Sequence, residues 1–198
     1  IQHDPSIVEK GVYGPYIQTE RKRIYKIIAK HLISIGKAYP CFMTEVELEK
    51  IREEQAAAGD DFGIYGKWAR SRRLSIQQIA EYLGNGKPFV IRHKARYPEL
   101  RRIVINDLVR GSVALPAHDK DTILMKSNGL PTYHLAHPVD DSLMQVNLVV
   151  RIEKLLTLCP LHLEIFEALK RQPPSYAHIP YILAANSTSR HTISKSID

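Results

Sequence analysis

Residues 130–151 read LPTYHLAHPVDDSLMQVNLVVR. Pro131 and Thr132 open the stretch, Tyr133 to Met144 can wind as a helix, and Asn147 to Arg151 is a short β-branched run ending on a cation. A helix feeding a buried strand whose carboxyl end delivers an arginine puts that side chain where open α/β sheets bind ligands. Beyond Arg151, the spacing predicts a helix from Pro160 to about Leu169, with proline in its first turn and Leu161, Ile165, Phe166 and Leu169 facing the sheet. Pro173 and Pro174 break the chain, and Tyr176 to Leu183 reads as one more buried strand before a polar loop from Ala184 to Asp198. Strand, helix and strand without a hairpin turn imply parallel pairing, hence an α/β nucleotide-binding fold of the doubly wound kind.

Composition sets the bounds around this stretch. The 198 residues are 44% hydrophobic, enough for one good core, or one core with a small appended lobe. The net charge of +7 points to an anionic partner, with nucleic acid the simplest and a merely well-solvated basic surface the alternative. Cys41 and Cys159 form no CxxC pair, so neither a disulfide framework nor a zinc ribbon is indicated, and a reducing cytoplasm fits. No apolar run is long enough for a membrane span, and the polar start IQHDPS lacks the apolar core of a signal peptide. A first residue of Ile1 suggests a fragment or a processed product.

Upstream, Tyr13-Gly-Pro-Tyr16 is turn chemistry, and Thr19 can cap a helix with Ile24, Ile27, Ile28, Leu32 and Ile35 on its apolar face, ended by Gly36. Arg21, Lys22 and Arg23 in its first turn oppose the helix dipole, which suggests a nearby carboxylate or anion, or else a solvated basic face. Thr44 to Glu47 and Ser75 to Gln78 are capping-box patterns. The first opens a helix through about Gln55, the second one carrying Ile76, Ile79, Ala80 and Leu83 and stopped by Gly84. Between them, GIYGKWARSRRLS gathers Lys67, Arg70, Arg72 and Arg73 beside Tyr65 and Trp68. Such a cluster can contact phosphates and stack on a base, although Trp68 reads better as core. From Pro88 the runs PFVIRHK, RRIVIND, GSVALP and DTILMK are strands, and Ser127-Asn128-Gly129 is a hairpin signal.

PTYHLA at 131–136, the VDDSLM helix residues at 139–144 and the following strand ending in Arg151 resemble the catalytic domain of bacterial glutamyl-tRNA synthetases, class I enzymes of the glutamyl/glutaminyl family. YGPY at 13–16, DLVRG at 107–111 and SKS at 194–196 extend the resemblance over nearly the whole chain. It implies the second half of a Rossmann-like catalytic fold with an inserted α+β lobe. Residues 1–38 would lead to the insertion, 39–120 would form the lobe binding the tRNA acceptor end, and 121–198 would complete the catalytic fold and end in a KMSKS-like loop. The family joins glutamate to ATP, with Mg2+, and passes the glutamyl group to tRNA. The resemblance therefore implies glutamate, ATP and the tRNA acceptor end as partners, no membrane, and a cytoplasmic monomer.

By the same resemblance, Tyr133 contacts the amino acid and Arg151 pairs with its side-chain carboxylate, a task suited to a planar guanidinium. The plainer alternatives are a half-buried residue at a helix start and a structural ion-pair partner. Lys195 corresponds to the mobile-loop lysine that neutralises developing phosphate charge, with Ser194 and Ser196 beside it in the ATP-binding loop. Lys67, Arg70, Arg72 and Arg73, with Arg92, Lys94, Arg101 and Arg102, fall in the lobe that holds the acceptor stem. By the same resemblance, zinc-binding members of the family carry a cysteine pair near CFM and a Cys-x-His or similar pair near KWAR; only Cys41 remains here, so no zinc is expected. His134 and His137 lie on one helix face rather than converging, which is not a metal-site pattern.

The chain also departs from the pattern. Ile152-Glu153-Lys154-Leu155 stands where the family has glycine and two acidic residues, Thr192 replaces the usual lysine of the loop, and no HIGH-like sequence occurs. Glycine at that place lets backbone approach the nucleotide, so Ile152 would crowd it if the backbone path is kept. The expectation is a catalytic-domain portion that is incomplete or inactive alone, the alternative a non-catalytic RNA-binding module or a degenerate paralogue.

Overall fold

The structure, a computed structural model, describes residues 11–96 and 101–181. Its first helix, α1 (Lys22–Ser34), buries Tyr25, Ala29 and Leu32, with Ile24, Ile28 and Ile33 packed beside them. The expected apolar face is therefore rotated, and Ile27 and Ile35 are exposed. The cause is polar. Tyr25 turns inward because its hydroxyl donates to Asp140 at 2.6 Å, and Arg21 donates to the same carboxylate at 2.8 Å. Arg21 thus meets a carboxylate at the helix start, Thr19 makes no cap there, and the helix ends as expected at Gly36, whose φ of 72° suits glycine.

After β1 (Ala38–Cys41), α2 (Glu45–Ala58) and α3 (Ile76–Gly84) both start on complete capping boxes, Thr44 with Glu47 and Ser75 with Gln78. Gly59 in the left-handed region closes α2, three residues past the expected end. Helix α3 runs through Gly84 and buries none of its residues; Ile76 and Leu83 are exposed. Between the helices lie two short 3-10 turns, and Ile51, Ile64, Tyr65, Trp68 and Ala69 form a small core of their own. Trp68 is core, as its pattern suggested.

Among the described residues seven strands form two sheets, six of them on runs expected from the sequence and β1 on a run that was not. One has the order β1, β2 (Val90–His93), β5 (Ile123–Met125), all antiparallel. The other has the order β4 (Gly111–Pro116), β3 (Arg102–Asp107), β7 (Ser175–Ile179), β6 (Leu148–Ile152). Here β3 and β4 form a hairpin, while β6 and β7 pair in parallel from Leu148↔Ser175 to Ile152↔Ile179. Their crossover contains α5 (Cys159–Ala168), with Pro160 in its first turn. The fold is mixed α/β, with the parallel pair expected from the strand, helix, strand order. Hydrogen bonding crosses residue 120 in both sheets, since β2 bonds to β5 and β3 bonds to β7.

Helix α4 (Tyr133–Leu143) enters from the Asn128-Gly129 turn, where Lys126 N–H bonds to Leu130 across the tip. With α1, α5 and β5 it surrounds the main core, which includes Tyr25, Leu32, Leu124, Leu135, Leu161 and Ile165. Strand β6 differs from expectation: Leu148, Val150 and Ile152 are exposed and only Arg151 is buried. Among the described residues no element covers that face of the sheet, so alternation, and not apolarity, sets which side chain goes inward.

Asp121 ties the lobe-like segment to the rest. Its side chain accepts from Tyr39 Oη at 2.5 Å, from Arg72 Nε at 2.7 Å and from the Ala95 N–H at 3.0 Å, and it lies 2% exposed. Asp121→Ala would leave Arg72 without its partner in a low-dielectric site, so we expect a loss of about 3 kcal/mol in unfolding free energy, measured by urea titration.

Candidate functional site around Arg151

Arg151 sits one residue before the end of β6 with 8% of its surface exposed. Its Nε donates to His178 Nε2 at 2.9 Å, Nη1 to Tyr133 Oη at 3.0 Å and Nη2 to Cys159 Sγ at 2.9 Å. The guanidinium carbon lies 4.9 Å from the Tyr176 ring centre. Every one of these partners is neutral or weakly polar, and no carboxylate forms an ion pair with Arg151 among the described residues. Burial pushes the Cys159 thiol up, which keeps it protonated beside the cation. A guanidinium carries five N–H donors; three are used here and His137 Nε2 lies 3.5 Å from Nη1, so the arrangement holds a buried cation that no carboxylate touches among the described residues.

Helix α4 presents Tyr133 at its first residue. The ring is half-exposed, stacks on His137 at 5.3 Å, and lines the edge of a cleft of about 610 Å³ between α2 and the start of α4. Ile51, Arg52, Arg92, Asp121 and His134 share that cleft. The sequence thus places Tyr133 and Arg151 in one hydrogen-bonded unit, although they are 18 residues apart.

Around them the rings of His134, His137 and His162 come together. The His162 ring lies 4.7 Å from that of His137 and 5.7 Å from that of His134, and it is fully buried, with neither nitrogen bonded among the described residues. His137 Nδ1 approaches Asp141 Oδ2 at 3.0 Å without the alignment of a hydrogen bond. Despite this crowding, no group of three potential metal ligands converges among the described residues. Asp107 and His178, at the other side of Arg151, were not singled out as site residues. Asp107 was legible only as the first residue of a turn, and a histidine in a buried strand carries no local signal of its partner.

The basic residues of the 63–75 segment separate. Arg72 points inward to Asp121, which commits its guanidinium to the fold and removes it from the candidate phosphate contacts. Lys67 pairs with Asp60 at 3.0 Å over the Trp68 ring, Arg70 pairs with Glu54 at 2.7 Å, and Arg73 is exposed. Arg92 is buried and donates to the Asp121 carbonyl. Ile152 is exposed on the sheet face opposite Arg151, Lys154 is exposed, and Glu153 pairs with Arg110. Ser194, Lys195 and Ser196, with Thr192, lie outside the described residues, as does the end of the strand expected to reach Leu183.

A helix-linked parallel strand pair that buries an arginine near its carboxyl end defines a mixed α/β protein with a cation at the end of the sheet where such folds bind ligands. Residues 1–196 match the family described as tRNA synthetases class I (E and Q), catalytic domain, and the chain belongs to that family. The glutamate–tRNA ligase of Acetivibrio thermocellus is 42% identical over 96% of this chain and 35% of its own length. That of Sorangium cellulosum is 46% identical over 88% of the chain and 31% of its own. A crystal structure of a glutamate tRNA ligase from Elizabethkingia meningosepticum in complex with its amino acid superposes with a TM-score of 0.82 at 34% identity, covering 94% of this chain and 38% of that one. The chain spans about a third of the length of the curated relatives it matches.

Burial makes the fold acid-sensitive. It lowers His93 to about 3, His137 to about 4 with help from Arg151, and His162 to about 2, while burial and then Asp140 raise Asp141 to about 6. Unfolded histidines protonate near 6.5, so below that pH the unfolded chain gains protons that the folded one refuses, and stability falls with pH. Asp141 acts oppositely, since its folded form keeps a proton up to about 6, but it is one group against three. We expect unfolding free energy to drop by on the order of 1–3 kcal/mol per pH unit between roughly pH 6 and 4, measured by urea midpoints across that range.

Proposed function

We propose that this chain is the part of a glutamate–tRNA ligase that binds the side-chain carboxylate of glutamate and the acceptor end of tRNA. The observation that carries the reading is Arg151, a buried guanidinium held only by neutral acceptors and joined to Tyr133 at the rim of the cleft. A ligand carboxylate would supply the missing counter-charge, and a planar fork can donate two parallel N–H bonds to it. Tyr133, half-exposed beside it, would close one side of the amino acid. In this reading Lys195, with Ser194 and Ser196, stabilises phosphate charge when ATP and Mg2+ are bound, so that adenylation proceeds by positioning and electrostatics and not by a protein nucleophile.

In the protein that carries this chain, Arg151→Ala should raise KM for glutamate roughly a hundredfold in glutamate-dependent ATP–pyrophosphate exchange, with KM for ATP little changed. An unchanged glutamate KM would sink the assignment.

The same reading places RNA on the 39–120 segment, where Lys67, Arg70 and Arg73 keep their charged ends at the surface while Arg72 serves the fold. Phosphate contacts release condensed counterions, so affinity must fall steeply with salt. Reversing Arg70 and Arg73 together should weaken binding of an acceptor-stem RNA and flatten its salt slope by about one per lost contact. Arg151→Ala should leave that slope alone, and a slope unmoved by the double reversal would leave only a solvated basic surface.

A further inference from the structure

Arg151 can bind a carboxylate only if its fork is aimed, and on the buried face of β6 the aim is set by the side chains that receive its N–H groups. One of those partners is itself held in place. Asp107, at the end of β3, accepts N–H bonds from Val109 at 3.0 Å and Arg110 at 2.9 Å through Oδ1, and meets the His178 backbone N–H at 3.1 Å through Oδ2. The same Oδ2 lies 2.5 Å from His178 Nδ1. Both side chains are buried, His178 completely. Arg151 can only donate, so His178 Nε2 must carry the lone pair that receives the Arg151 Nε–H, and Nδ1 must carry the proton that goes to Asp107. The tautomer is therefore dictated from both ends. Burial pushes the Asp107 carboxyl up, but the His178 ring and the backbone N–H bonds outweigh it and hold it at about 2, so it stays an acceptor.

We infer that Asp107 and His178 are positioning residues, a fixed relay that holds the Arg151 guanidinium in the orientation its ligand requires. The relay links the turn after β3 to the candidate site through side chains from three strands, β3, β7 and β6. The inference rests on Arg151 being the carboxylate-binding residue, but its geometry can be tested without that. Asp107→Asn keeps the shape but offers an amide N–H to Nδ1, which moves the ring proton to Nε2 and sets it against the Arg151 Nε–H, the same logic by which an aspartate fixes a catalytic histidine's tautomer. His178→Gln places an acceptor near the Nε2 position, whereas His178→Leu removes it.

The test uses the 15N-labelled chain, reading the imidazole tautomer from long-range 1H–15N spectra and the exchange rate of the Arg151 Nε–H, with glutamate titrated in parallel. The unsubstituted protein should show His178 protonated on Nδ1 and a protected Arg151 Nε–H. Asp107→Asn and His178→Leu should speed that exchange at least about tenfold, and His178→Gln should restore most of the protection. Equal protection in all proteins would overturn the inference, and so would equal loss in His178→Gln and His178→Leu, which would mark His178 as packing alone. If Asp107→Asn does not fold, the two His178 variants still decide. Loss and rescue as expected, with a glutamate KM unmoved by Arg151→Ala in the protein that carries this chain, would uphold the relay and reject the glutamate site.

Discussion

A buried carboxylate has to fill its lone pairs, and Asp107 fills them with the turn after β3, the backbone of β7 and the His178 ring. Much else follows from that constraint. The hairpin of β3 and β4 is thereby locked onto the parallel pair, where the β3 and β7 ladders meet at Asp107↔Tyr176. The same carboxylate orients the histidine that receives Arg151. Sheet closure and site geometry are one set of hydrogen bonds, so the site is rigid wherever the sheet is.

Two more aspartates repeat the device elsewhere. Asp140 gathers Arg21 and Tyr25 and so sets the rotation of α1 against α4. Asp121 gathers Arg72, Tyr39 and the Ala95 N–H, binding the segment with its own small core to the β1, β2, β5 sheet. Each joins residues far apart in sequence, and each is costly to break because the partner cation or donor is left in a low dielectric. Arg151 stands out against this background. Among the described residues, carboxylates pair with Arg21 and Arg72 and none pairs with Arg151, and the ligand role proposed for Arg151 rests on that difference.

The histidines sharpen the contrast. His137 and His162 are kept neutral by burial, and their rings pack with Tyr133 into one wall beside Arg151. Neutral imidazoles add surface without adding repulsion to the guanidinium, but only above the pH at which they would take up protons. Acidification therefore works against the core and the site together.

Local chemistry was readable wherever it is complete within a few residues. Both capping boxes, the Asn128-Gly129 turn, the strand runs and the helix from Tyr133 appear as the sequence alone determines them, because each is satisfied by neighbours along the chain. The motif from Pro131 to Arg151 likewise carried the family, and through it Tyr133 and Arg151 as separate candidates, while the hydrogen bond that joins them comes from the tertiary structure. Tertiary structure alone decided which arginines face inward, since Arg72 and Arg73 are adjacent and alike in sequence and differ only in whether Asp121, 49 residues from Arg72, lies within reach. It also decided the buried stripe of α1 and the relay from Asp107 through His178 to Arg151. Burial and hydrogen-bond partnership depend on what the fold brings alongside, and a partner 71 residues away leaves no trace in the local pattern.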